Sequence, residues 1–321
     1  MELKPSDNKL LAYLFHHNRE PLSKIAKATK LSREQVKYKL EKYIGSGLIR
    51  KFFTVFDWSK LGYNYLAVLI IKFEKLSSLP KFTKELEKSK NMISFGKVYG
   101  KYDLYITAIF KNEIEFSEFL SALLGATGHL INDYIFIKPF FGKVYPLRFL
   151  GSNETGDYPM IRDNISKTIE LDEKDRKILK MLSDDARIKL VDMASKINTS
   201  GEVVLHRIKR LKKQGIILGP RTHFNMKKMG YFFTVIFIDI KNFSKVNQDK
   251  LKDFANKTKN VDSIVFSHSR PNCFMQIFHK DEETLRKTIN DLKELFVNSQ
   301  ISVEPLLIED QENEANMLPF Y

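Results

Sequence analysis

The stretch LSKIAKATKLSREQVKYKLEKYIGSGLIRK, residues 22–51, reads as a short helix, a tight turn and a second, capped helix. Leu22, Ile25 and Ala26 share one face of a helix near Leu22–Thr29, and Lys30-Leu31 turns the chain. Ser32 followed three residues later by Gln35 is a capping box: the hydroxyl accepts from a free backbone amide while the glutamine side chain reaches back. The helix that follows buries Val36, Leu40 and either Tyr43 or Ile44, and Gly45-Ser-Gly47 stops it. Upstream, apolar residues at 10, 11, 14 and 15 give helical spacing over Asp7–His16, with Ser6 and Asp7 as N-caps. Downstream, Leu48–Phe56 reads as the two strands of a wing. Three short helices with a tight turn before the third make a helix-turn-helix.

The pattern occurs twice. Sliding the chain by 168 residues places Leu3, Asp7, Leu11, Leu14, Arg19, Leu22 and Ala26 on identical residues, and later Val36, Gly47, Ile49, Phe56, Gly62 and Tyr63. About 18 of roughly 60 positions are identical without a gap. In the second copy Asp172 or Asp175 opens the first helix and Leu190–Ile197 forms the second. Thr199-Ser-Gly-Glu202 caps the third, which buries Val203 or Val204, Ile208 and Leu211.

The outward face of the third helix carries Arg33, Lys37, Tyr38, Glu41 and Lys42 in the first copy, and His206, Arg207, Lys209, Arg210 and Lys213 in the second. A helix fits the major groove of DNA, where side chains near its N-terminus reach base edges and basic groups neutralise phosphates. The candidate DNA-binding residues are therefore Ser32, Arg33, Lys37, Tyr38 and Lys42 with Arg50 and Lys51 of the wing, and His206, Arg207, Lys209 and Arg210 with Arg221. The plain alternative is a solvated basic helix; three-helix order, caps, wing and charge agreeing in both copies favour DNA. Gly201, Val203 and Leu205 make the start of the second helix less polar, which points there to phosphate contacts. The charge supports this division. Of a net +14, residues 1–62 carry roughly +7 and residues 171–230 roughly +8.

Each copy continues into a second module. Tyr63–Phe73, Met92–Tyr99, Tyr102–Phe110 and Leu130–Phe140 read as strands, with helices over Leu79–Lys90 and Glu113–Leu124. The order βαββαβ is ferredoxin-like, and Phe232–Ile240, Asp249–Thr258, Ser263–His268, Cys273–His279, Glu282–Asn298 and Ile301–Ile308 repeat it. The fold class is therefore α+β: two tandem copies of a winged helix-turn-helix followed by a ferredoxin-like domain. Residues 1–62 and 63–150 form the first copy, 151–168 a turn-rich linker, 169–230 and 231–308 the second copy, and 309–321 an acidic tail suited to disorder or to protein contacts.

At this point the chain resembles the Lrp/AsnC (feast/famine) transcriptional regulators. The residues that carry the likeness are Asp7, Leu11-Ala-Tyr-Leu14, Leu22-Ser-Lys-Ile-Ala26, Gly47-Leu-Ile-Arg50, Leu61-Gly-Tyr63 and Gly100-Lys-Tyr-Asp103. The resemblance implies a DNA-binding domain joined to a small-molecule-sensing domain that pairs through its sheet, with double-stranded DNA and a small amino-acid effector as partners. It implies that the loop of Gly100, Tyr102 and Asp103 lies near the effector pocket, where Asp103 would hold an ammonium group. A plain hairpin with a solvated aspartate is the alternative. The second copy has Ser267-His-Ser-Arg-Pro-Asn272 there, with neither the glycine nor the aspartate. Family members with one copy must dimerise, so the two α/β modules here are expected to pair within one chain as a pseudo-dimer.

A second reading is enzymatic. Siroheme decarboxylases resemble this tandem length and order, but only His268 and Arg270 echo their substrate-binding stretch. A third is a DNA-architectural protein without an effector. No P-loop or dinucleotide-binding glycine fingerprint occurs, so no cofactor and no enzymatic activity are expected. His16-His17 reads as a helix C-terminal dipole partner, and the single cysteine, Cys273, as a small buried hydrophobe that excludes a disulfide within the chain. No apolar run is long enough to span a bilayer and Met1-Glu-Leu-Lys-Pro5 has no apolar signal core, so a cytoplasmic location and no membrane partner are expected.

Overall fold

A computed structural model describes residues 3–152, 158–161, 167–297, 300–311 and 316–321. The first half opens with α1 (Pro5–His17), α2 (Leu22–Thr29), α3 (Arg33–Gly45) and a single strand, β1 (Ile49–Phe56). It continues as β2 (Tyr65–Phe73), α4 (Leu79–Leu86), β3 (Met92–Tyr99), β4 (Leu104–Phe110), α5 (Glu113–Thr127), β5 (Ile131–Ile137) and β6 (Pro139–Val144). The stretch expected to be a plain linker contains a short strand, β7 (Tyr158–Ile161), hydrogen-bonded to β6. The second half has α6 (Glu173–Asp184), α7 (Leu190–Lys196), α8 (Gly201–Lys213) and β8 (Ile217–Phe224). It ends with β9 (Phe232–Ile240), α9 (Lys245–Lys257), β10 (Val261–Ser267), β11 (Cys273–His279), α10 (Glu282–Glu294) and β12 (Ile301–Gln311).

The helix ends follow from their caps. Ser32 Oγ accepts from Gln35 N at 3.1 Å and Gln35 Oε1 accepts from Ser32 N at 2.9 Å, which closes the expected capping box. Tyr43 is buried and Ile44 exposed; Val204 is buried and Val203 exposed. Asp172 caps α6 through Asp175 N at 2.8 Å. Asp7 does not cap α1; it lies in the first turn, where its carboxylate accepts from Lys4 N at 2.8 Å.

The two strands of the ribbon beside each helix-turn-helix do not both come from one module; the halves share them. Residues Ile49–Phe56 form one strand, and its partner is β8 of the other half. The register runs antiparallel from Ile49 against Phe224 to Phe56 against Ile217. These two end pairs exchange on a shift of 168 residues, so the ribbon is reciprocal about Phe53 and Arg221. Other contacts repeat the exchange. Asp57 N donates to Ile216 O at 2.9 Å and Asn225 N to Leu48 O at 2.8 Å. Lys60 Nζ donates to Gln214 O at the C-terminus of α8, and Lys228 Nζ to Ser46 O at the C-terminus of α3. A lysine from each half thus sits at the negative end of the other half's third helix.

Apolar packing interlocks the modules in the same way. Phe56 and Leu61 of the first half are buried with Ile178, Leu182, Val204 and Leu211 of the second. Phe224 and Met229 of the second are buried with Leu10, Leu14, Val36 and Leu40 of the first. The expected acidic tail is partly structural too. Glu309 lies in β12, and Leu318 is buried in the second helix-turn-helix core. Trp58 Nε1 donates to Met317 O at 2.7 Å, and Phe320 stacks on Tyr63 at 3.5 Å between centroids. Residues 312–315, which hold Glu312 and Glu314, two of the four carboxylates of the predicted acidic run, lie outside the described residues.

The larger sheet has ten described strands in the order β5-β2-β4-β3-β12-β9-β11-β10-β6-β7. Each half contributes the ferredoxin-like order, β5-β2-β4-β3 and β12-β9-β11-β10. The end of β12 pairs with β3, and β6 pairs with β10. The expected single strand Leu130–Phe140 is therefore divided: β5 stays in its own half, and β6 crosses to the other. Only Lys138 separates β5 from β6, so the two ends of the strand order are brought together and the sheet curls on itself. Its inner face holds Ile70, Val98 and Tyr102 of one half against Val235, Phe237 and Leu306 of the other. Helices cover the outer faces over two further cores, around Phe82 and Phe110 and around Leu251 and Phe266. Cys273 is buried in the latter core, where burial pushes its thiol up from its ordinary value.

Candidate nucleic-acid interface

Helix α3 presents Arg33, Lys37, Tyr38 and Lys42 to solvent, while Val36, Leu40 and Tyr43 anchor its other face. Ser32 is also exposed, but its hydroxyl is used as the cap. Arg50 and Lys51 lie half-buried on β1 in the inter-half ribbon and not at the tip of a wing. Arg221 is half-buried in the same ribbon; its guanidinium donates to Pro220 O at 2.9 Å and lies over the Phe15 ring.

Helix α8 differs. His206 and Lys209 are exposed, with Lys212 and Lys213 further along. Arg207, expected to face outward, turns inward and pairs with Asp172 at 2.6 Å and Asp175 at 2.8 Å. Arg210 stays partly exposed but also bonds Asp175, whose side chain is only 3% exposed. A buried carboxylate requires cationic partners, and these two arginines supply them. The first half has the same device one step reduced: Asp7 accepts from Lys39 Nζ and from Tyr43 Oη, the latter at 2.5 Å. The signal for this role was present in the sequence, as an aspartate at positions 7 and 175 with a basic residue at 39 and 207.

The Asp7 cluster makes stability depend on pH. Burial alone would raise its carboxyl, but hydrogen bonds from Lys39, Tyr43 and the Lys4 amide hold it below the ordinary 3.8. A depressed folded-state value contributes stability that is complete above the unfolded value and lost as pH falls through the folded one. Urea midpoints of the protein should therefore fall as pH drops below about 4. The Asp7→Asn variant should start lower at neutral pH and lose less on acidification; an identical acid profile would remove Asp7 from the account.

The loop Gly100, Tyr102 and Asp103 sits where β3 meets β12 of the other half. Gly100 has φ +132°, and a Cβ there would meet Leu306 Cδ2 at 3.2 Å. Gly100→Ala should destabilise by about 1–3 kcal/mol from backbone strain and this crowding, read as a lower thermal midpoint. Tyr102 is buried in the shared inner core. Both Asp103 oxygens are engaged: Oδ2 accepts from Phe73 N at 2.9 Å and Oδ1 lies 3.2 Å from Lys72 Nζ. In the second half Asn272 performs the equivalent closure, accepting from Ile240 N at 3.1 Å and donating to Ile240 O at 2.8 Å. His268 stacks on Phe140 at 4.2 Å, and Arg270 pairs with Asp239 at 3.2 Å.

Known proteins resemble both levels of this architecture. A family profile described as winged helix-turn-helix DNA-binding matches residues 171–217. The transcriptional regulator FL11 of Pyrococcus furiosus is 30% identical over 114 residues, which is 36% of this chain and 75% of that protein. The leucine-responsive regulatory protein of Rhizobium meliloti is 36% identical over 91 residues, 28% of this chain and 56% of that protein. The solved structure of the siroheme decarboxylase NirDL superposes with a TM-score of 0.64, covering 99% of this chain and 96% of that one at 14% identity. That likeness spans nearly the whole chain and, at such identity, concerns the fold alone. Fold and exposed helices define a winged helix-turn-helix DNA-binding transcription regulator. The chain belongs to the Lrp/AsnC family of these regulators. Among the described residues no helix is long and apolar enough to cross a membrane.

Proposed function

We propose that this chain binds double-stranded DNA sequence-specifically as an intramolecular pseudo-dimer, its halves a tandem duplicate of one regulator unit. The carrying observation is the reciprocal β1–β8 ribbon, which relates α3 and α8 by a local twofold. A duplex offers two recognition helices the same symmetry. Roughly +7 and +8 on the two helix-turn-helix segments supply phosphate neutralisation. Fluorescence anisotropy with labelled duplex tests the reading. Binding should weaken steeply between about 50 and 200 mM salt, with one chain per site by light scattering. A protein that ignores duplex even at low salt would end the proposal.

We read the Gly100–Asp103 loop as a sheet closure and not as a holder of an amino-acid ammonium group, because Lys72 and the Phe73 amide already occupy Asp103. A thermal-shift screen of amino acids should therefore leave the midpoint unchanged. A rise of more than about 2 °C that disappears in Asp103→Asn would restore the sensor reading. We also propose a non-enzymatic protein: His268 and Arg270 are held by Phe140 and Asp239. Siroheme absorbance should not change on mixing.

A further inference from the structure

We propose that the natural operator is not a palindrome: one half-site is read by α3 through guanines, and the other, rich in A·T pairs, is read by α8 through thymine methyl groups. The inference rests on the DNA-binding reading above and deepens it.

Its basis is the contrast between a reciprocal scaffold and unlike reading faces. The ribbon register, the crossed Lys60 and Lys228 contacts and the exchanged backbone bonds set α3 and α8 in equivalent positions. The side chains in the first turns are not equivalent. Arg33 is replaced by Gly201, Gln35 by Val203, Lys37 by Leu205 and Tyr38 by His206. All four of these α3 side chains are exposed. Val203 and Leu205 are 41% and 38% exposed, and Val191 on the adjoining α7 is 66% exposed.

The chemistry of each set selects a base edge. Arginine and lysine donate to O6 and N7 of guanine, which only a G·C pair offers together. Valine and leucine make no hydrogen bond, and in the major groove the apolar feature available to them is the thymine C5 methyl. Farther along α8, Lys209 and Lys213 are exposed and suited to phosphates, so the apolar start lies on a helix still equipped for a polyanion. An assembly of two identical chains carries two identical helices and matches a palindrome. One chain with two different helices on a twofold scaffold matches two different half-sites.

The test begins with selection from random duplex DNA by the full-length protein, followed by atom-level substitution in the selected site. Replacing thymine by uracil in the A·T-rich half removes only the methyls and should weaken binding about 3- to 10-fold. Replacing guanine by 7-deazaguanine in the other half should weaken it about tenfold. The uracil effect should vanish in Val203→Ala/Leu205→Ala, and the deazaguanine effect in Arg33→Ala/Lys37→Ala, with far-UV circular dichroism unchanged. A symmetric selected site, or uracil substitution without effect, overturns the inference while leaving DNA binding intact. Loss of self-association in Val203→Ala/Leu205→Ala with DNA affinity unaltered also overturns it, assigning the apolar face to protein contact. Failure to select any duplex overturns the DNA-binding reading itself, a separate result.

Discussion

Arg33→Ala combined with Lys37→Ala is expected to weaken specific duplex binding by about 100-fold, the sum of one base-edge contact and one phosphate contact. Both side chains are exposed on α3, and neither takes part in the helix cap or the Asp7 cluster. The fold should therefore persist, with an unchanged thermal midpoint. Titration against selected and scrambled duplexes at two salt concentrations separates the contributions. Loss of base readout narrows the gap between the two duplexes, whereas loss of a phosphate contact lowers the salt slope by about one. Full affinity in the double variant would remove α3 from the interface.

Phe56→Ala should have the largest effect on stability, about 3–5 kcal/mol. Phe56 is 1% exposed and fills the core of the second helix-turn-helix while belonging to the strand that leaves the first. Because β1 and β8 are paired along their length, damage at Phe56 is expected to spread to both modules. Hydrogen exchange should show protection falling in α1–α3 as well as in α6–α8. Loss confined to α6–α8 would mean that the modules open independently and that the interlock is not cooperative. Phe224→Ala is the reciprocal case and should behave alike, since Phe224 is buried in the first module's core.

These interlocking contacts mark the boundary of what the sequence made legible. Helical periodicity, the Ser32–Gln35 box and the turn glycines are local signals, and the helices form where those signals lie. The βαββαβ order was legible for the same reason. Strand partners are not local. Nothing within Ile49–Phe56 says whether it pairs with its neighbour or with residues 168 positions away, and the expected wing was the local answer. The repeat did hold a clue: Lys60 and Lys228, like Phe56 and Phe224, are identical after the helices have ended, where a solvated wing makes no demand for them. Arg207 was misplaced because exposure was judged by helical phase alone. Asp175 bends that side chain inward, a preference visible only once a carboxylate is seen to be buried beneath the helix.

The pairing of the two halves in the larger sheet also dictates an order of assembly. β3 completes its hydrogen bonding only with β12, where Val98 meets Ile308. On a ribosome adding about 5–20 residues per second, the first α/β module must wait some ~10–40 s with that edge bare. An unpaired edge beside apolar strands is a template for the wrong neighbour. The nascent protein therefore passes through a vulnerable interval that lasts until β12 is made.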